Sequence, residues 1–535
     1  MPLDDRIAFW QLLDMGEVRN RPLFASLLYQ MLDSVEILAY RIAAMGLEPE
    51  LLRVTPRLSE GESSFMALSA EASSFVSRYR HLLESPETEV EDDRHLLVLL
   101  EQCREGVKRA HQVASSQGTS MMLTFLVVRL SQHLDRLELL VRVLSVRFSA
   151  EARVELAERW SAFLRDALIG EHGRNSIRRL LSGLLSILAL RVTENAGRTG
   201  EHYIAVDRSE WLDMWRAAAG AGLLIPLMAL LKLSGYSLHL AIVIHGLLNG
   251  VIYASGFVII HLCHFTIATK QPAMTAATIA GTVSQVRGRL RDADRLARLI
   301  MDTIRSQLAA ISGNVLTAFT VATSLTMMME LLTGRHLVTA AKAQHLLHEL
   351  YPLDGGALFY AAVAGVWLFV SGLVTGYVDN MAAYERIGDR IARLPWLAGI
   401  IGRKRTERMG EYLDCNLGGL VGNVFFGFML GLTPAVGLAV GLPLDIRHVA
   451  FSSANLGYAL ASLDFRMDSV TMMRAVAGVA VIGLVNLTTS FSLALWVAMR
   501  SRGARFSGAV TLLPKLWRRF RSDPKRLFIP PQQAA

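Results

Sequence analysis

The chain has 535 residues, 52% of them hydrophobic, with a mean hydropathy of +0.35; a soluble globular protein of this size rarely reaches a positive value, so a multi-span membrane protein is the first expectation. The net charge of +8 is unevenly divided: residues 1–215 hold 25 Lys and Arg against 31 Asp and Glu, and residues 216–535 hold 30 against 16. The part best suited to water is therefore acidic, opposite to the phosphate neutralisation on which DNA affinity rests, and the widely spaced Cys103, Cys263 and Cys415 argue against a disulfide framework or a structural zinc site.

The start, MPLDDRIAFW, has no basic stretch followed by an apolar one, so no cleaved signal peptide is expected. Phe24, Leu27, Leu28, Met31, Leu32, Val35 and Leu38 recur at spacings of three and four and form one apolar helix face. Further helices are expected from Phe65 to about Leu83, and around Arg94–Ser116, Ser120–Arg147 and Ala150–Ile169. The acidic run after Ser85-Pro86 reads as a loop entering a helix start. Leu180–Leu190 is apolar but too short to span and reads as a buried helix, and Arg191–Ile204 as a polar connection. Residues 1–215 are thus read as an all-α cytoplasmic domain.

Residues 216–500 read as a transmembrane bundle of six helices, at about 216–233, 239–262, 308–332, 357–378, 416–442 and 473–497. The fifth, Asn416–Leu442, is uncharged over its whole length. Its pairs Gly418/Gly422, Gly427/Gly431 and Gly437/Gly441 have the small-xxx-small spacing that lets helices approach closely in lipid, where tight packing must replace hydrophobic drive. Asn423 and Thr433-Pro434 supply a means to bend. Short words recur: Gly-Asn-Val at 313–315 and 422–424, and Ala-Val-Ala-Gly-Val at 362–366 and 475–479. They suggest three repeats of a helix pair.

The connections at 234–238, 334–356 and 443–472 hold few basic residues, whereas 264–306, 379–415 and the tail after Val497 are rich in arginine. Basic loops stay cytoplasmic, so both termini are expected inside. The tail, residues 501–535, mixes cations with aromatics, as an amphipathic helix on anionic lipid does. Membrane lipids are the expected partners.

Several places carry candidate chemistry. Lys270-Gln271-Pro272 could hold an anionic group or mark a snorkelling lysine and a helix restart. Asp379-Asn380 reads as a helix cap or a partner for Lys270. Asn314 and Asn423, early in two spans, read as interhelical hydrogen-bonders. Asp445, Arg447 and His448 could form an ion pair beside a titratable ring, or cap a helix around Val449–Leu463. His345 and His348 stand three apart without a convincing carboxylate beside them, so no metal and no cofactor is expected. These residues alone describe a membrane protein with a transport, lipid-related or scaffolding role and no assembled catalytic set.

The words TKQPAMTAAT (269–278), GNVFFGFMLGLTP (422–434), GLPLDIRHV (441–449) and AGVAVIGLVNL (477–487) resemble a bacterial family of site-specific recombinases of the gonococcal type. LAYRIAAMGLEPELLR (38–53), QGTSMMLTFLVVRLSQHLDRLELL (117–140) and GRTGEHYI (197–204) extend the likeness over nearly the whole chain. The resemblance implies DNA strand exchange, with DNA as partner. A tyrosine recombinase sets an Arg, a His-x-x-Arg and a Tyr around the scissile phosphate. His133-Leu-Asp-Arg136 supplies one His-x-x-Arg, so His133 and Arg136 are the recombinase-type candidates, and the next tyrosine is Tyr203. The alternative reading is thus a membrane-associated DNA recombination factor.

Overall fold

The computed structural model describes residues 22–55, 63–84, 93–117, 120–145, 153–173, 176–177, 204–235, 238–267, 275–276, 279, 290–352, 356–501, 517–518, 521 and 528–530. Regular structure among them is entirely helical. The chain divides into two compact units, Met1–Ile187 and Leu188–Ala535. The boundary lies before residue 215 because the segment at 204–206 is tied to the second unit: the Ala205 amide donates to Ser306 Oγ at 2.8 Å, and Arg305 donates to the Ala205 carbonyl.

The first unit contains α1 (Pro22–Gly46), α2 (Pro49–Val54), α3 (Ser64–Glu84), α4 (Arg94–Gln117), α5 (Met121–Leu144) and α6 (Arg153–His172). α1 packs on α3 and α5, α4 on α3 and α5, and α6 on α5. The apolar face read from the sequence meets this core: Leu28, Leu32, Val35 and Ile42 are buried with Phe65, Leu100, Leu130, Leu134 and Trp160. Each such side chain contributes about 1.5–3 kcal/mol on burial. Ser120 starts α5 as its cap, its Oγ accepting from the Leu123 amide at 2.9 Å. The expected loop after Ser85 and the helix at Leu180–Leu190 lie outside the described residues.

Among the described residues, six helices of the second unit are long and apolar enough to cross a membrane. They belong to α7 (Arg208–Gly235), α8 (Ile242–Leu262), α9 (Leu290–Thr333), α11 (Ala357–Glu385), α14 (Arg403–Val440) and α16 (Ser469–Ser501). Three of them, α7, α9 and α14, begin well before the apolar stretches in the sequence, because a helix continues through polar residues once its apolar part is packed. Between them come α10 (Ala340–His348), α12 (Ile387–Ala392), α13 (Pro395–Ile401) and α15 (Val449–Ser462).

α15 differs from the spans. Thirteen of its 14 residues are buried, yet it is about 21 Å long and too short to cross a hydrocarbon core. It packs against α9, α10, α7 and α16. Ser453 Oγ donates to the Val315 carbonyl within α9, and Tyr458 donates to the Pro226 carbonyl within α7. An uncovered backbone at that depth would be costly in lipid; protein on all sides makes it tolerable.

The tightest crossing is α8 against α14. A Cβ at Gly427 or Gly431 would overlap the backbone of Ala254 or Gly250. Gly418 and Gly422 instead face Asp379, Thr375 and Ser371 of α11. One uncharged stretch of α14 thus serves two neighbours with successive glycine pairs. Gly437 lies against the returning loop at Leu442–Leu444, and Gly441 ends α14 at φ +71°, which glycine adopts without strain.

Candidate functional site

A cavity of about 510 Å³ opens at one end of the second unit. The ends of α7 and α14 and the starts of α8 and α11 all line it, through Lys232, Leu438, Ile242 and Tyr360. α7 therefore runs opposite to α11, and α8 opposite to α14.

The loop at 441–448 forms one wall. Arg447 is 11% exposed and pairs with Asp445 on its own loop and with Glu349 after α10, the latter at 3.1 Å. Its guanidinium lies 5.5 Å from the centre of the Tyr360 ring, and its amide donates to the Tyr360 carbonyl. Burial works against the charge on Arg447, but Asp445 and Glu349 outweigh it and hold the pKa above its ordinary value. The cation is permanent, and the pair fixes the loop against α10 and α11.

His448 is buried, and its ring lies 6.0 Å from the rings of Phe426 and of Phe451. Tyr253 meets Phe451 edge-on at 5.0 Å. This aromatic group supports the inner wall of the cavity. The helix expected around Val449–Leu463 is present as α15, but neither Asp445 nor His448 caps it through a side chain. The cap comes from Asn486 in α16, whose Oδ1 accepts from the Val449 amide at 3.0 Å. The sequence gives no sign of this, since the two residues lie 37 positions apart.

Asn486 does more. Its Nδ2 donates to the carbonyls of Ala361 at 2.8 Å and Arg447 at 3.0 Å. Asn314 makes a matching set: its Nδ2 donates to Ala218 at 2.8 Å and Thr266 at 2.9 Å. The surroundings match as well. A Cβ on Gly222, four residues after Ala218, would meet Thr317 and the Asn314 carbonyl. A Cβ on Gly365, four residues after Ala361, would meet Thr489 and the Asn486 carbonyl. Thr266 follows α8 as Arg447 follows α14. Each asparagine joins a span, its glycine-bearing neighbour and the loop after a third span.

The other candidates are more scattered. Pro434 lines the cavity. Asn423 and Asn380 are buried within α14 and α11. Asp379 Oδ1 accepts from the Gly418 amide at 2.9 Å, joining α11 to α14. Lys270, Gln271 and Pro272 lie outside the described residues; shortly after them Thr275, Ala276 and Ile279 are helical and buried. His345 Nδ1 lies 3.5 Å from Glu349, a carboxylate the sequence reading had not placed there, and His348 packs on Tyr351. His336 lies between Glu330, 3.5 Å from Nδ1, and Asp464, 4.0 Å from Nε2. Opposite ring nitrogens face the two carboxylates. Sequence reasoning missed Lys232, Asn249, Glu349, Tyr360 and Asn486; each sits in an unremarkable word and gains its place only through the fold.

In the first unit His133 and Arg136 share α5 but differ in setting. His133 is buried among core leucines, and its Nδ1 has no hydrogen-bond partner among the described residues. Burial, then the charges of Arg129, Arg136 and Arg41, push its pKa below the ordinary value. Arg136 is exposed. Tyr203 lies outside the described residues.

No curated protein and no solved structure matches the chain. The family model described as site-specific recombinase matches residues 1–530, almost the full length, and the chain belongs to that family.

Proposed function

We propose that this chain is a membrane transport protein for small solutes, built from two inverted halves. The observation that carries this reading is the pair of asparagine clamps. Asn314 ties α7 and α9 to the loop after α8, and Asn486 ties α11 and α16 to the loop after α14, while the corresponding helices run in opposite directions. Halves of three spans related in this way, with short helices inserted at membrane depth, are a recurrent plan for transport proteins. The clamps favour two inverted halves over three repeats of a helix pair. α15 and its loop then form the floor of a vestibule at the end poor in basic residues.

The opposite, arginine-rich end is read as the cytoplasmic face of an inner membrane, with both termini on that side. α13 supports an interfacial role there: Trp396 and Ile400 are exposed on it, and Arg403, Lys404 and Arg405 follow directly. Anionic lipid suits that combination. The basic tail after Ser501 is assigned the same partner by composition.

The test is flux. Purified full-length protein in sealed vesicles should carry small solutes faster than empty vesicles do, and Asn486→Ala should reduce the rate at equal protein content. Rates equal to those of empty vesicles for neutral, anionic and cationic solutes alike would reject the reading.

The family description favours a second reading, a membrane-associated DNA recombination factor. It requires salt-sensitive DNA binding and strand cleavage lost on His133→Ala or Arg136→Ala. The burial of His133 and the acidic balance of the first 215 residues count against it.

A further inference from the structure

The cavity at the ends of α7 and α14 and the start of α8 has features that transport architecture alone does not require. Asn249 in α8 lines it and is only 5% exposed. Its Nδ2 meets His245 Nδ1 at 3.2 Å, while its Oδ1 has no hydrogen-bond partner among the described residues. Leaving a buried amide oxygen without a donor is costly, so a ligand that brings a donor to it is favoured over one that does not. The fixed charges of the described lining are unequal: Lys232, Lys342 and Arg447 against Asp445 and Glu349. Both carboxylates are engaged by Arg447. By that count the described lining carries one more positive than negative charge. Lys232 Nζ lies 5.9 Å from the centre of the Tyr253 ring, on the same wall as Asn249. The first turn of α15 adds to the effect, since Arg447, His448, Phe451, Ser452 and Asn455 all line the cavity and a helix N-terminus favours negative charge. Asn455 is also the one residue of α15 that is not buried.

We propose that this cavity is a binding site for a small hydroxylated organic anion. The anionic group faces Lys232 and the start of α15, and the neighbouring hydroxyl donates to Asn249 Oδ1. The volume of about 510 Å³ falls in the range of small-molecule sites and suits such a ligand without requiring a macromolecule. A free hydroxy acid and the glycerophosphate head of a lipid share this chemistry. The inference rests on the vestibule reading for its biological role, but binding is measurable without transport.

The experiment uses full-length protein in nanodiscs of phosphatidylcholine, titrated calorimetrically with lactate and with glycerol 3-phosphate. Propionate removes the hydroxyl, glycerol removes the charge, and choline inverts it. The expected result is saturable binding of one or both hydroxylated anions, with propionate about tenfold weaker than lactate or more, and no binding of glycerol or choline. Lys232→Met should weaken every anion about tenfold, and Asn249→Ser should lower lactate to the level of propionate while leaving propionate unchanged. Each variant is first checked for the parent's thermal midpoint; if one fails to fold, the comparison of lactate with propionate on the parent protein decides. A second nanodisc series containing phosphatidylglycerol separates the sources: loss of lactate or glycerol 3-phosphate binding there identifies the lipid head group as the occupant and supports the site. Equal binding of lactate and propionate, binding of choline, or no binding of any anion in either lipid would overturn the proposal. Anion binding with no flux in sealed vesicles would reject transport and keep the site, whereas flux of neutral solutes with no anion binding would reject the site and keep transport.

Discussion

Single amides and one imidazole carry much of the local energetics. Asn486 satisfies two carbonyls and one amide hydrogen across three elements, so Asn486→Ala leaves several buried groups without partners at once. The expected loss is about 1–3 kcal/mol of stability, seen as a lower thermal midpoint of the purified protein; Asn314→Ala should behave alike, and an unchanged midpoint in both would remove the clamps from the account. The sequence marked Asn314 as an interhelical hydrogen-bonder but passed over Asn486, because AGVAVIGLVNL reads as uniform apolar helix. His133 offers a pH test. Its pKa in the folded chain lies below the unfolded value of about 6.5, so the unfolded state binds the proton more readily, and stability rises with pH through that range. Its contribution is full above about pH 6.5 and is lost as pH falls through the lower folded value. Melting curves of the full chain between acid and neutral pH should show this loss in the transition of the first unit, and His133→Leu should flatten it. A slope that survives the substitution would assign the pH dependence elsewhere.

At the scale of elements, the glycine pairs were legible and their partners were not. Spacing alone identified Gly427/Gly431 and Gly418/Gly422 as faces for close approach, yet it could not tell that the first meets α8 and the second α11. Gly431→Leu should be severe, because the obstruction is backbone of Gly250 and cannot rotate away. Overpacking of this kind costs about 1–3 kcal/mol or more, expected as a loss of monodisperse protein after extraction, with Gly399→Leu on α13 affected less because its surroundings are open and its φ is not in the left-handed region. Equal behaviour of the two variants would contradict the assigned crossing. On the inverted-halves reading the repeated words mark no equivalent positions, for a physical reason. Gly365 and Gly478 share the Ala-Val-Ala-Gly-Val word, but Gly365 meets Thr489 of α16 while Gly478 meets the carbonyl of Leu350 in the loop region after α10. Helices made of Gly, Ala and Val repeat such words by composition, whereas Asn314 and Asn486 share an environment and little sequence.

At the scale of the whole molecule, hydropathy and charge indicated an all-α chain with six apolar spans, because every span must bury its own backbone and therefore shows as a long apolar run. α15 was readable as a short helix, but its depth was not, since burial inside a bundle leaves no periodic polar face to interpret. The cavity was half legible: Asp445, Arg447 and His448 stood together in one word, while Lys232, Asn249 and Glu349 came from three other places in the chain. Membership in the recombinase family and the transport reading meet in one question, namely whether the vestibule is used. The most direct measurement is solute flux through the full-length chain carrying Asn455→Cys, with the exposed Cys263 and Cys415 replaced by serine. Position 455 lies on the cavity floor, so a charged thiol reagent added from the vestibule side should stop a flux that exceeds that of empty vesicles. A flux no greater than in empty vesicles, or one that continues unchanged after complete labelling of position 455, would contradict the account.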